Sequence, residues 1–315
     1  MKVLKIEEIV RGILDGDRRA VSRGISVIEN DYDSTVARRI IKEIFPSTGR
    51  AHIVGITGPP GIGKSTMIGN LSAMLSKKGF RVSVVAVDAS SPFSGGSLLG
   101  NRIRMQESLS KYGVYMRSLA NRGMNGGLSR SVWDAVKILD ASGSDYIIVE
   151  TVGAGQADLD IVNLAETVIV VLGPGLGDEI QAIKAGIMEI GHVFVINKMD
   201  RQGAFIAMKD IEETLAMSPS GEWKPPVVGV NSLTGEGYET FIEKIQEHGN
   251  FVKNHSGSIL RKFRTELQMT IIQELRRKFE SDISLFLGDN AVIERLIREK
   301  VDPYSAAEKL VKKIT

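Results

Sequence analysis

The feature that most constrains the fold of this chain is the glycine-rich segment 55–66, which reads Gly-Ile-Thr-Gly-Pro-Pro-Gly-Ile-Gly-Lys-Ser-Thr. Within it, Gly58 to Ser65 matches the pattern G-x-x-x-x-G-K-[ST] of phosphate-binding loops. The apolar run 53–56 precedes the motif and predicts a buried strand. A helical pattern follows it, with Met67, Leu71, Met74 and Leu75 on one face and Gly79 after the end. Strand, loop and helix in this order aim backbone N–H groups and a helix N-terminus at a phosphate.

The positions within this loop have separate predicted roles. Glycines at 61 and 63 let the backbone approach the anion closely. We expect Lys64 to reach the outer phosphates and the Ser65 hydroxyl to bind Mg²⁺. The predicted nucleotide contacts of the loop are Gly58, Pro59, Pro60, Gly61, Ile62, Gly63, Lys64, Ser65 and Thr66.

Composition excludes several other kinds of site. The net charge of +2, from 40 basic and 38 acidic residues, gives no case for a nucleic-acid or membrane partner. There are no cysteines, which excludes disulfides, thiolate metal sites and a cysteine nucleophile. The four histidines (His52, His192, His248 and His255) are far apart in sequence and form no metal-ligand spacing.

The apolar runs are all too short for a bilayer, which needs about 18 residues. The first residues include Glu7, Glu8 and Asp15, and they lack the character of a signal or transit peptide. We therefore expect a cytoplasmic protein.

The hydrophobic pattern divides the chain into three predicted regions. Residues 1–50 form a helical extension, 51–249 alternate strands and helices, and 250–315 form a helical arm. The candidate strands are 51–57, 81–88, 113–118, 145–151, 167–172, 193–198 and 226–231. Nearly continuous apolar strands indicate an α/β fold with a doubly wound, mostly parallel sheet covered on both faces. Functional loops should then follow the carboxyl ends of the strands, after Thr57, Val87, Val149, Leu172 and Ile196.

The C-terminal arm carries an apolar stripe at helical spacing. Its members are Leu260, Phe263, Leu267, Ile271, Leu275 and Phe279. Asp289 or Asn290 is a candidate cap for a second helix, and Asp302-Pro303 for a third. The stripe could dock on its own domain or on a second copy of the chain.

A second motif indicates which nucleotide binds. The predicted strand 193–196 is followed by Asn197-Lys198-Met199-Asp200, the Asn-Lys-x-Asp signature of GTP-binding proteins. A carboxylate at Asp200 can accept from the ring N–H and the exocyclic amine of guanine, a donor pair that adenine lacks. Lys198 can cover the base and Asn197 can tie neighbouring loops together. The segment Asn231, Ser232 and Leu233 stands where GTPases often have Ser-Ala-Lys, whose backbone meets the base oxygen.

Two carboxylates end predicted strands at the same edge of the sheet. Asp88 ends the second strand and Glu150 the fourth, so we predict a Mg²⁺ site from Ser65, Asp88 and Glu150. Glu150-Thr151-Val152-Gly153 resembles the Asp-x-x-Gly of GTPases, and the Gly153 N–H would sense the γ-phosphate. The next position is Ala154, where many GTPases have a water-orienting glutamine; the nearest glutamine is Gln156. Hydrolysis without a partner should therefore be slow.

The motifs together resemble the MeaB/ArgK family of GTPases, which act as chaperones of cobalamin-dependent methylmalonyl-CoA mutase. Besides the phosphate loop, Ala86-Val87-Asp88 and the Asn-Lys-x-Asp run, the resemblance rests on four segments. They are Gly95–Gly100 (Gly-Gly-Ser-Leu-Leu-Gly), Arg122-Gly123 with Gly126-Gly127, Glu150–Gln156 (Glu-Thr-Val-Gly-Ala-Gly-Gln) and Gly177–Lys184 (Gly-Asp-Glu-Ile-Gln-Ala-Ile-Lys).

The resemblance implies a SIMIBI-like phosphate-loop GTPase with N-terminal helices and a C-terminal helical arm used in homodimers. It implies GTP/GDP and Mg²⁺ as ligands and a cobalamin-dependent acyl-CoA mutase as partner, whose cobalamin loading and protection the protein gates. Residues 88–105 and 150–160 should be the first two switches. Residues 174–184 should be a third switch that communicates with the mutase, with Lys184 as a participant. One departure is Asn101, where the family usually has an aspartate tied to Mg²⁺ and the γ-phosphate.

Other functions remain open at this point. An older label for the group suggests a protein kinase acting on a transport component, although no phosphoacceptor groove is marked in the sequence. A nickel-delivery metallochaperone GTPase would normally carry cysteine and histidine clusters. A nucleotide-switched binding module would fit if Asn101 and Ala154 abolish hydrolysis. Nucleic-acid binding by the arginines of 102–130 is disfavoured because acidic residues balance them.

Overall fold

A computed structural model of the chain describes residues 6–30, 34–89, 105–121, 128–151, 161–175, 187–217, 221–255 and 257–314. The chain forms two compact units that divide between Ser256 and Gly257. The first contains the sheet, and the second is helical. The predicted domain boundaries after residues 50 and 249 stay predictions, and a helix, Tyr238–Asn254, runs through the second of them.

The first unit is organised around a seven-stranded parallel sheet. The strands are β1 (His52–Thr57), β2 (Val82–Ala89), β3 (Tyr115–Asn121), β4 (Tyr146–Glu150), β5 (Thr167–Leu172), β6 (Val193–Ile196) and β7 (Val227–Gly229). All seven predicted strands are confirmed, with ends that shift by at most three residues. β4 and β5 are buried at every position, as their continuous apolar runs predict for a sheet covered on both faces.

The order of the strands decides which loops meet. It is β3-β2-β4-β1-β5-β6-β7, with every neighbouring pair parallel. β1 therefore lies in the centre, between β4 and β5. On one side β5, β6 and β7 follow one another outward, and on the other β4 is inserted between β1 and β2. The carboxyl ends of β4, β1, β5 and β6 are consecutive, so the loops that follow them share one edge. This confirms the predicted α/β, doubly wound fold class.

Helices flank the sheet and precede it. In the first unit they are α1 (Ile6–Leu14), α2 (Arg18–Asn30), α3 (Thr35–Ile44), α4 (Lys64–Lys77), α5 (105–110), α6 (Arg130–Ala141), α7 (Ile187–Ile190), α8 (Ala204–Met217) and α9 (Tyr238–Asn254). α4 and α9 share one hydrophobic core with the sheet, through side chains such as Met67, Leu71 and Phe241. The segment Asp15-Gly16-Asp17 separates α1 from α2, and Gly16 has a positive φ of 73°.

The N-terminal helices form a layer over α6. α2 and α3 both contact α6, and Ser34 caps the start of α3, where its hydroxyl accepts from Ala37 N at 3.2 Å. Asp140, a buried residue of α6, accepts from the backbone N–H groups of Gly49, Arg50 and Ala51. One carboxylate thereby holds the chain where it passes from the helical layer into β1.

The second unit consists of α10 (Gly257–Gly288), α11 (Asn290–Arg298) and α12 (Pro303–Ile314), and α10 contacts both of the others. Asp289 caps α11 by accepting from Ala291 N and Val292 N, and Asp302 accepts from Tyr304 N and Ser305 N at the start of α12. The predicted stripe lies on α10. Within the residues that the structure describes, every helix is too short or too polar to cross a membrane.

Candidate nucleotide-binding site

The phosphate loop lies between β1 and α4 and fits closely against its neighbours. Gly58 has φ 143°, and a Cβ there would lie 2.1 Å from Val171 O on β5. Gly63 has φ 98°, and a Cβ there would lie 2.6 Å from Asn197 Nδ2. A side chain at Gly58 would force the loop away from β5, and one at Gly63 would force it away from Asn197, the first residue of the Asn-Lys-x-Asp turn. Glycine therefore sets how close the two nucleotide motifs stand.

Lys64 is the first residue of α4, and its ammonium group folds back over the loop. It is 7% exposed, and its Nζ donates to Gly58 O at 2.6 Å and to Pro59 O at 3.0 Å. The positive end of the helix dipole lies at the same place. A buried cation and a helix N-terminus together make a site for an anion such as a phosphate.

Ser65 and Glu150 meet at the predicted metal position. The Ser65 hydroxyl donates to Glu150 Oε1 at 2.7 Å, across the gap between α4 and the end of β4. Hydroxyl and carboxylate oxygens are hard ligands of the kind that Mg²⁺ takes, usually with waters and substrate phosphates as its remaining ligands. The residues present therefore fit Mg²⁺. Among the described residues no group of three or more His, Cys, Asp or Glu forms a metal cage.

Asp88 lies on the strand next to Glu150. β2 pairs with β4 so that Ala86 is level with Glu150, and Asp88 follows two residues later. The backbone of Asp88 pairs with Ala120, but its side chain is outside the described residues. Its predicted role as a metal ligand stays a prediction.

Asn197 connects the phosphate loop to the segment Asn231-Ser232-Leu233. It is 1% exposed, and its Nδ2 donates to Ile62 O in the phosphate loop at 2.8 Å. Its Oδ1 accepts from Lys198 N at 2.8 Å and from the Ser232 hydroxyl at 2.9 Å. The two motifs found in the sequence are therefore joined by one amide side chain.

The Asn-Lys-x-Asp turn becomes more exposed after Asn197, and Lys198 and Met199 are half-buried. Lys198 has a positive φ of 62°, which is unusual for a residue with a side chain and turns the backbone sharply after β6. Its Nζ donates to Gly61 O at 2.9 Å, so the stem crosses towards the phosphate loop. Asp200 is exposed, as a carboxylate that binds an incoming base must be.

Two residues at this site were missed by sequence reasoning. Asn70, on α4, donates from Nδ2 to Ser232 O at 2.6 Å. The hydroxyl of the fully buried Tyr238 lies 2.9 Å from Ser232 Oγ. Burial raises the pKa of Tyr238, and hydrogen bonds with Ser232 and Asn70 oppose that shift. Asn70 could have been found from the sequence, because it is a polar residue between Met67 and Leu71 on the apolar face of α4. No sequence pattern pointed to Tyr238.

Several predicted residues lie outside the described residues. They are Gly153 and Lys184 of the catalytic set, Asn101, Ala154 and Gln156. Of the three predicted switches, the structure describes only the ends, such as Met105, Thr151 and Pro174.

Three of the four histidines, which are scattered in sequence, meet at the opposite edge of the sheet. His52 Nε2 lies 2.7 Å from Thr167 Oγ1, which in turn lies 2.8 Å from His248 Nδ1. The rings of His192 and His248 stack with centroids 4.3 Å apart, and Trp223 meets His248 edge-on at 4.7 Å. We call His52, Thr167, His192, Trp223 and His248 the histidine cluster. Burial, aided by His192 and His52, lowers the pKa of His248 to about 3.

Comparison with known proteins places the chain in a family. A family model described as "Methylmalonyl Co-A mutase-associated GTPase MeaB" matches residues 21–283. A Pyrococcus horikoshii protein named "Putative GTPase" is 47% identical over 319 residues, covering 98% of each chain. The mitochondrial methylmalonic aciduria type A homolog of Mus musculus is 32% identical, covering 77% of this chain and 62% of that protein.

A solved structure supports the fold. The crystal structure of a LAO/AO transport system kinase superposes with a TM-score of 0.69 at 21% identity, covering 100% of this chain and 99% of that one. At this identity the likeness concerns the fold alone. The family model matches most of the chain, and the Pyrococcus horikoshii relative matches 98% of it. The chain therefore belongs to the MeaB family of methylmalonyl-CoA mutase-associated GTPases.

Proposed function

We propose that this GTPase is a switch for a cobalamin-dependent acyl-CoA mutase of the methylmalonyl-CoA mutase type, gating its cobalamin loading and protecting it. The observation that carries the nucleotide part is the side chain of Asn197, which links Ile62 O to the Ser232 hydroxyl. That link couples a phosphate loop to a guanine-type turn. The partner part is supported by the family description and by the printed name of the mouse relative.

Each described residue has a role in this proposal. The Lys64 ammonium, now bonded to Gly58 O and Pro59 O, turns to the outer phosphates when GTP enters the loop. The Asp200 carboxylate accepts from the ring N–H and amine of guanine. Ser65 and Glu150 would hold Mg²⁺, with Asp88 as a further proposed ligand. When bound, this ion would supply positive charge that offsets the negative charge developing on the transferred group.

The mutase is proposed to act on this protein by accelerating its hydrolysis of GTP. Ala154 stands where many GTPases orient the attacking water, so we expect slow hydrolysis by the chain alone. A mutase that supplies a group to orient the water, with Gly153 and Lys184 as proposed participants, would accelerate the reaction. A group supplied in trans raises GTPase rates by about 10³ to 10⁵.

The test is GTP turnover by the purified protein, alone and with a cobalamin-dependent acyl-CoA mutase from the same organism. We expect a clear rise in the rate of phosphate release, which Lys64→Ala abolishes. The mutase alone is the control for contaminating hydrolysis. No rise, with GTP still bound, would contradict the mutase partner but leave the GTPase. Transfer of labelled γ-phosphate to a protein would instead favour the kinase reading.

We also propose that the protein works as a homodimer through its C-terminal arm. The stripe on α10 is exposed, with Leu260 65%, Phe263 54% and Leu275 52% accessible. Large apolar side chains in a row are unfavourable in water and typically mark a protein interface. Light scattering should give twice the mass of 34.3 kDa, and Leu267→Glu with Ile271→Glu should give a monomer that still binds GTP. A wild-type monomer at micromolar concentration would contradict this.

A further inference from the structure

Ser232 is held in place through its carbonyl oxygen and its hydroxyl group. Its carbonyl oxygen accepts from Asn70 Nδ2 at 2.6 Å. Its hydroxyl donates to Asn197 Oδ1 at 2.9 Å and lies 2.9 Å from the hydroxyl of Tyr238. Since the single hydroxyl proton of Ser232 is directed to Asn197, the Tyr238 hydroxyl is the donor in that second contact. Elements α4, β6 and α9 therefore converge on one residue.

The N–H groups of the same loop differ in how firmly they are engaged. Leu233 N donates to Asn231 Oδ1 at 2.9 Å, which closes a local turn. Ser232 N donates to Asn197 Oδ1 over the longer distance of 3.3 Å. Asn197 Oδ1 is also shared with Lys198 N and the Ser232 hydroxyl. Thr234 N also donates to Asn231 Oδ1, over 3.4 Å. Ser232 is the middle residue of the segment that stands where GTPases often have Ser-Ala-Lys, whose backbone meets the base oxygen, so its loosely bonded N–H is the donor best placed to turn to the oxygen of a guanine base.

We infer that Asn70 and Tyr238 are positioning residues that set the guanine-oxygen donor, Ser232 N–H, against a base bound at Asp200. This inference rests on the proposed GTP site and deepens it. Asn70 fixes the carbonyl side of Ser232, and Tyr238 fixes its side chain. Neither residue touches the nucleotide itself. Together they select for a hydrogen-bond acceptor at position 6 of the base.

The position of Asn70 also links the two ends of the nucleotide site. It stands six residues after Lys64 on α4, about 9 Å along the helix axis at 1.5 Å per residue. The helix that presents Lys64 and Ser65 to the phosphates therefore also holds the loop that meets the base. Tyr238 is rigid because it is fully buried at the start of α9, next to Phe241.

The test compares the equilibrium affinities of three nucleotides for the full chain. GTP has the oxygen at position 6, 6-thio-GTP has sulfur there, which accepts hydrogen bonds weakly, and ITP keeps the oxygen but lacks the exocyclic amine. For Asn70→Ala we expect GTP affinity to fall about five- to tenfold, the size of one hydrogen bond. We expect 6-thio-GTP to lose less than about twofold, and the GTP-to-ITP ratio to be unchanged, because Asp200 reads the amine.

Two further variants separate positioning from loss of structure. Tyr238→Phe removes one hydroxyl and keeps the packing, and it should shift the ratios in the same direction by a smaller factor. Ser76→Ala is the matched control, because Ser76 also donates from α4 to a loop carbonyl, Tyr112 O, at 2.6 Å. It should leave all three affinities unchanged. Thermal unfolding confirms that each variant is folded.

The outcomes are distinct. Equal weakening of all three nucleotides in Asn70→Ala, or the same pattern in Ser76→Ala, would overturn the positioning role. Wild-type ratios in both Asn70→Ala and Tyr238→Phe would overturn it as well, while wild-type preference for GTP over ATP left the proposed function standing. A wild-type protein that binds ATP as well as GTP would refute the GTP site itself, and the inference with it.

Discussion

Both edges of the sheet carry polar side chains, but these side chains have different partners at the two edges. At the carboxyl edge, Lys64, Asn197 and Lys198 bond to backbone carbonyls of the phosphate loop, which keeps open space beside Gly61. At the amino edge, His52 and His248 bond to the side chain of Thr167, and aromatic rings close over them. The arrangement at the carboxyl edge leaves room for a ligand, whereas the side chains at the amino edge pack against one another.

This difference teaches how to separate a binding site from a stabilising cluster on the same sheet. Polar groups that hold loops can exchange a loop carbonyl for a ligand at little cost, as Lys64 would on binding phosphate. Polar groups that satisfy one another inside a packed cluster cannot, because a buried donor or acceptor left without its partner is costly. The comparison predicts that changes at the carboxyl edge alter nucleotide binding, and that changes at the amino edge alter stability.

The largest effect is expected from Lys64→Ala. It removes the buried ammonium group that faces the phosphates, so GTP affinity should fall about 100-fold, as for the loss of a strong charged hydrogen bond. Titration with a fluorescent GTP analogue measures it. Thermal unfolding without nucleotide should change little. If Lys64→Ala lowered the melting temperature strongly and left the GTP affinity unchanged, the carboxyl edge would be a stabilising cluster and not a binding site.

Glu150→Gln should separate turnover from binding. Glutamine keeps the size and can still accept from Ser65, but it lacks the charge that attracts Mg²⁺. We expect the rate at saturating GTP to fall at least about tenfold, equivalent to 1.4 kcal/mol in the barrier. GDP affinity without Mg²⁺ should change less than turnover does. Phosphate release at a series of Mg²⁺ concentrations is the measurement, and equal losses in both quantities would remove Glu150 from the metal site.

Asp200→Asn should weaken discrimination between bases. The amide can accept only through one oxygen and presents a donor where guanine also presents one. We expect the preference for GTP over ATP to shrink by about tenfold, the value of one or two hydrogen bonds. Competition between the two nucleotides measures it. An unchanged preference would exclude Asp200 from the base site.

The smallest effect is expected at the amino edge, in the pH dependence of the free energy of unfolding. The pKa of His248 lies at about 3 in the folded chain, because burial disfavours its charged form, against 6.5 as its ordinary value. Between these values the unfolded chain binds the proton and the folded chain does not, so stability falls as pH drops from 6.5 towards 3. His248→Asn should flatten this slope by up to about 1.4 kcal/mol per pH unit.

Unfolding by urea at pH 7 to 4.5 measures this slope. His255→Asn is the control, because His255 is largely exposed, with its side chain 45% accessible. GTP affinity at pH 7.5 should be the same in both variants and in the wild type. An unchanged slope in His248→Asn, or a changed GTP affinity, would break the separation of the two edges.

The elements of the fold were predictable because their signals are local. Continuous apolar runs predicted β4 and β5, and short polar residues predicted the helix starts at Asp289 and Asp302. The two nucleotide-binding motifs were also recognisable, because each lies within a short run of consecutive residues, and the binding roles of their residues stay predictions. Neither motif required knowledge of how the strands are ordered.

The strand order decided what the sequence could not. Placing β1 between β4 and β5 brings Ser65 to Glu150 and, at the other edge, His52 to Thr167. Spacing along the chain contained no sign that His248 would join them, or that Asn70 and Tyr238 would meet at Ser232. The sequence by itself determined the identity of the loops and of the nucleotide they are suited to, since those depend on neighbouring residues. Tertiary structure alone decided which distant side chains share an edge, because that follows from packing seven strands into one sheet.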